Sequence, residues 1–74
     1  MKKINKLYVV ITDDAKGNEQ IFACNLSNDM MVQCASSVKG LAEDFLIFAK
    51  KFAPEEGATN PRIVEFVRCA NPTD

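Results

Sequence analysis

The chain of 74 residues has no histidine and no tryptophan, one tyrosine, three glycines, three prolines and three cysteines. Each shortage removes a class of function. Without histidine the commonest general base and the commonest transition-metal ligand are both missing, so no His-dependent catalytic triad can be assembled. Cys24, Cys34 and Cys69 are odd in number and show no Cys-x-x-Cys spacing, against both a disulfide framework and a zinc ribbon. They read instead as small hydrophobes of a reducing compartment, each within an apolar, strand-like segment. Cys34 alone precedes an expected helix start, where a thiol would be activated. Gly17, Gly40 and Gly57 are isolated and make no phosphate-cradling loop.

Long apolar runs are also missing. No stretch approaches the roughly 18 residues of a membrane span, and Leu7 to Ile11, behind the N-terminal lysines, falls short of the about 7 to 15 residues of a signal-peptide core. A cytoplasmic location is expected, with no membrane partner. Neither charge sign dominates, since nine basic and ten acidic residues leave a net charge of -1. That balance gives no general field for nucleic acid or an anionic surface. Lys2, Lys3 and Lys6 read as a solubilising arm. No metal or cofactor site is expected: Asp13, Asp14 and Asp29 lack the spacing of an EF-hand loop, and adjacent strand-end residues point to opposite sides.

What remains is an ordinary globular composition, 47% hydrophobic and 26% charged, in a chain sized for one domain over residues 1–74. Residues 1–5 are read as a basic arm and 71–74 as a tail. A core this small supplies about 3 to 5 kcal/mol, so self-association or a partner is a natural source of further stability.

"LYVVIT", residues 7 to 12, is apolar on both alternations and predicts a central strand. "DDAKGNE" supplies turn-tolerant residues, with Gly17 at a positive φ, and "QIFACNL" is the returning strand. After the turn "SNDM", "MMVQCAS" predicts a shorter third strand. A helix over about residues 37–53, capped by Ser36 or Ser37, ends at Pro54 and Gly57. "PEEGATNP" is a polar connection, and "RIVEFVRCA" is the last strand. The sum is a small α+β fold, βββαβ, with one helix on a four-stranded, mainly antiparallel sheet. A last strand returning under the helix beside the first would run parallel to it, with a right-handed crossover.

At about 100° per residue, Val38, Leu41, Ala42, Phe45, Phe48, Ala49 and Phe52 share one helix face, the expected sheet-facing stripe. Ile47 lies about 160° from its middle, Leu46 is at its edge, and Gly40 is on the outer side, at a cost of about 1 kcal/mol relative to Ala unless close approach has a use there. Leu46 and Ile47, ringed by charges, have the anatomy of an interface core with a polar rim. They are equally readable as ordinary surface residues. Because one helix covers one sheet face, Tyr8 and Val10 are expected on the other, facing water or a partner.

Three functional readings follow. The first is a non-enzymatic protein-binding module, either a homodimer or an inhibitor masking a larger macromolecule, with Ile47, Leu46, Gly40, Tyr8 and Val10 as contact residues. Small inhibitors, anti-defence proteins of phages among them, have this scale. In the second, the order of elements over residues 7 to 53 loosely resembles the small domain of HicB antitoxins, which implies a regulatory role; the family's turn between its second and third strands is not matched by "NLSNDM". The third is a sheet that stacks bases on Tyr8, Phe22 and Phe66, against which the net charge stands.

Overall fold

Lys6–Asp13 form the strand around which the molecule is arranged (β1), in a computed structural model that describes residues 3–25 and 31–69. Apolar residues on both alternations suit a strand paired along both edges. One edge pairs antiparallel with the last strand, β6 (Thr59–Val67), from Lys6 opposite Val67 to Asp13 opposite Thr59. The other edge is divided. β2 (Glu19–Ile21) pairs with Ile11–Asp13, and β5 (Ala35–Ser36) pairs with Tyr8 and Val9, both antiparallel. The result is a four-stranded antiparallel sheet with one helix, an α+β fold.

Between β2 and β5 the chain leaves the sheet as a separate hairpin of β3 (Ala23–Asn25) and β4 (Met31–Gln33). Its departure point is closed by three backbone hydrogen bonds arranged in a ring. Phe22 N–H donates to Val10 C=O at 2.8 Å, Cys34 N–H to Phe22 C=O at 2.9 Å, and Val10 N–H to Cys34 C=O at 3.0 Å. A strand that splits would otherwise strand backbone groups in the core, where unpaired ones are costly. The expected second and third strands are therefore each broken once. The turn "SNDM" lies outside the described residues.

The first hairpin turn forms as the composition predicts. Gly17 has φ 85° and donates to Asp14 C=O at 3.0 Å. The Asp14 carboxylate accepts from the amides of Lys16 (2.8 Å) and Asn18 (2.9 Å). These amides, that of Asn18 foremost, hold the Asp14 carboxyl below its ordinary 3.8. A carboxyl with a lowered folded pKa stabilises the fold above its unfolded pKa, and that contribution disappears as pH falls through the folded value. Acidification below 3.8 should thus loosen this turn. In Asp14→Asn, whose side chain cannot titrate, the thermal midpoint should fall less on acidification than in the parent.

β6 differs from expectation in start and direction. It begins at Thr59, and it runs antiparallel to β1, so no parallel crossover exists. The helix is followed by a tight 3-10 turn, Ala53–Glu56, and by Gly57 at φ 77°, which reverses the chain within a few residues. The register then shifts between Ile11 and Asp13, and Asn60 takes φ 55°. Asn tolerates this left-handed geometry better than most side chains, and Pro61 fits because bulges and edge strands admit proline.

The helix α1 spans Lys39–Phe52. Val38, and neither serine, holds the capping position; Ser36 Oγ instead accepts from Val38 N–H at 2.9 Å. Its rotation also differs from the wheel. The residues buried against the sheet are Ala42 and Ala49, continued by Ala53, while Phe45, Leu46 and Phe52 are partly buried. Val38, Leu41 and Phe48, expected underneath, are exposed. The helix is rolled by about 60° toward Leu46, given about 100° per residue. Small side chains let its backbone approach Val10, Phe22 and Cys34, with which Ala49, Ala53 and Ala58 form the core. Three aromatic rings under the helix would hold it away from so narrow a sheet.

Candidate interaction surface

Residues directly opposite in an antiparallel pair lie on the same face. Val10 and Ile63 are opposite each other and pack in the core beneath the helix, so Tyr8, Val10 and Thr12 face the helix side. The other face carries Leu7 opposite Phe66, Val9 opposite Val64 and Ala35, and Ile11 opposite Arg62 and Ile21. This is the reverse of the expected assignment, and it follows from the helix packing against Val10.

Among the described residues, no helix covers that second face. Its central side chains, Val9 and Ile11, are shielded by their neighbours at 4% and 6% exposure, whereas Leu7 (38%), Ile21 (41%) and Phe66 (51%) present apolar surface outward. At one end, Arg62 lies beside Ile11 and binds two carboxylates, Asp13 at 3.1 Å and Glu19 at 2.6 Å, while its other amino group donates to Asn60 C=O at 2.8 Å. The hydrogen bonds to Asp13 and Glu19 raise the Arg62 pKa further. At the other end Arg68 Nε donates to Ile4 C=O at 3.0 Å. The face is thus an apolar centre between a carboxylate-rich end and a basic one.

The molecule as a whole is more open than a compact one of its mass. The chain exposes 5868 Å², whereas a compact monomer of its mass exposes roughly 4,500 Å². Its Cα radius of gyration is 14.0 Å, against about 11 Å for a compact domain of this length.

A second apolar area flanks the helix. Phe48 stacks on Phe52 at 5.5 Å between ring centroids, and the two line a groove with Phe22, Ala23 and Cys24, edged by Glu55 and Glu56. Leu41 is exposed on the same helix flank. Alanines at 42, 49 and 53, spaced by seven and four, were the sequence signal for this rotation. The aromatic residues concealed it.

The residues proposed from sequence as contacts are dispersed. Val10 is fully buried and cannot touch a partner, Leu46 packs against the core, and Tyr8 is half-buried on the helix side. Ile47 is exposed at 66%, on the outside of the helix and remote from the open face. Gly40 is exposed, and a Cβ built there meets nothing within 4 Å. No close approach requires this glycine. Gly40→Ala should stabilise the fold by about 0.5 to 1 kcal/mol, read as a thermal midpoint higher by a few degrees.

The aromatics of the base-stacking reading are also separated. Phe22 is in the core, Tyr8 is on the helix side and Phe66 on the open face. Asp13 is engaged by Arg62 and Asp14 by the turn amides, while Asp29 lies outside the described residues. Among the described residues, no helix is long and apolar enough to cross a membrane. No known protein family, curated protein or solved structure matches the chain.

Proposed function

We propose that the chain is a non-enzymatic protein-binding module that works by contact, and that its open sheet face is occupied by a second copy of itself. The observation that carries this reading is the apolar surface that Leu7, Ile21 and Phe66 present around the shielded Val9 and Ile11, with opposite charge character at its two ends. A two-fold axis running across the strands places Arg68 of one copy beside Asp13 and Glu19 of the other. Such packing is self-complementary, as a two-fold interface must be, and two sheets packed face to face form a core about 10 Å thick. Catalysis is set aside because a chain without histidine lacks the usual proton-transfer group.

The test is the solution mass by size-exclusion chromatography with light scattering over a range of concentrations. Self-association predicts a mass moving toward twice 8.2 kDa as concentration rises. A monomer at every concentration overturns it. The groove of Phe22, Phe48 and Phe52 favours a second reading, an inhibitor of a larger macromolecule, because its edge of Glu55 and Glu56 suits an apolar segment flanked by basic residues. Capture of a larger partner by the monomer, lost in Phe48→Glu, would support that alternative.

A further inference from the structure

The sequence presents three thiols with no metal or redox spacing, yet the fold brings two of them together. Cys24 Sγ and Cys34 Sγ are 3.2 Å apart, about 1 Å more than a disulfide bond of roughly 2.05 Å. They occupy diagonal positions across the β3–β4 hairpin, because Cys24 is paired with Val32 and Cys34 follows two residues later. The sulfurs differ in access. Cys24 is partly exposed and lines the groove of Phe22, Phe48 and Phe52, while Cys34 is buried at the junction where three strands exchange backbone hydrogen bonds. Cys69 is exposed and belongs to neither feature.

We infer that Cys24 and Cys34 form a thiol-modification site for low-molecular-weight disulfides, with Cys24 as the entry thiol and Cys34 as the resolving thiol. The Cys24 thiolate attacks one sulfur of a small disulfide, forming a mixed disulfide at Cys24 and expelling one small thiolate. Cys34 then loses its proton to solvent and attacks Cys24 Sγ, expelling the second small thiolate and closing the Cys24–Cys34 bond. Two protein thiols are oxidised, one small disulfide is reduced to two small thiols, and the two protons released by the protein balance them. Burial foremost, and then the hydrogen bond with Cys24, pushes the Cys34 thiol up to about 12, which suits a group that stays inert until its neighbour is modified. Proximity offsets its low thiolate fraction in the second step. The closed bond ties the hairpin to the junction beside the groove, so oxidation fixes the shape of that wall.

Tryptic cleavage makes the test direct. No lysine or arginine lies between Gly17 and Val38, so Cys24 and Cys34 fall in one peptide, 17–39, and Cys69 in another. The reduced, folded chain is incubated with oxidised glutathione, alkylated, digested and weighed. The expected product is peptide 17–39 lighter by two hydrogens, unalkylated and free of glutathione, with the loss reversed by a thiol reductant. In Cys34→Ser, Cys24 should retain glutathione; in Cys24→Ser, Cys34 should stay unmodified, with circular dichroism checking the fold of both. Full alkylation of peptide 17–39 under conditions that glutathionylate Cys69 overturns the proposal. Modification of Cys34 in a folded Cys24→Ser chain overturns the assignment of the entry thiol.

Discussion

Phe66→Glu should leave the fold intact and abolish self-association. Phe66 is half exposed on the open sheet face, opposite Leu7, and makes no part of the core beneath the helix. A carboxylate there costs the free chain little, because water solvates it. In the two-fold pair it would be desolvated against Ile11 and Ile21 of the other copy, near an Arg62 whose guanidinium Asp13 and Glu19 already engage. Truncation or charge insertion at a central aromatic of an interface costs about 2 kcal/mol or more, a roughly 30-fold or greater weakening. Light scattering should report a monomer at concentrations where the parent associates, with an unchanged circular dichroism spectrum. Ile47→Asp provides the counterpart, since Ile47 projects from the outside of the helix. If Ile47→Asp dissociates the protein and Phe66→Glu does not, the contact lies on the helix and the open face is not its seat.

Val10→Asp should unfold the chain. Val10 is fully buried, at the centre of the cluster formed with Phe22, Cys34, Ala49, Ala53 and Ala58. Among the described residues, Thr12 is the one buried polar side chain and none of the buried ones is basic. An unpaired carboxylate in such a place costs several kcal/mol, whether as a buried charge or by taking up a proton. A chain under 80 residues has about 3 to 5 kcal/mol available. The variant should lose the cooperative thermal transition and the parent's near-ultraviolet signal. One-residue neighbours make the comparison sharp, because Val9 points to the other face. A folded Val10→Asp variant would mean that the helix does not cover this residue.

These two substitutions also mark where the sequence stopped being legible. It contained the helix, the first turn and the central strand, because each is set by local chemistry. Gly17 and the Asp14 carboxylate close the turn within five residues, and Pro54 with Gly57 stops the helix. It also contained the α+β class. It did not contain which face of β1 the helix covers, because Leu7, Val9 and Ile11 on one alternation and Tyr8 and Val10 on the other are nearly equal in apolar character. A period of two identifies the faces of a strand without saying which is covered.

The helix presented the same ambiguity in another form. Its apolar residues span a wide arc, and weighting by hydrophobicity favours the aromatics at 45, 48 and 52. Packing decided for the alanines, because close contact between the helix and Val10 needs small side chains between them. That choice exposed Leu41 and Phe48 and drew Leu46 inward. The contact residues named from the wheel were displaced by the same rotation.

By itself the sequence determined the α+β class, the single helix, the first turn and the central strand, and the absence of histidine. Only the tertiary structure decided that β1 shares one edge between two strands, that Cys24 meets Cys34, and that Leu7, Ile21 and Phe66 gather on an uncovered face. Local propensity acts over a few residues and fixes what forms. Pairing and rotation are set by which non-local surfaces bury most with least strain, and those surfaces exist only once the chain has folded.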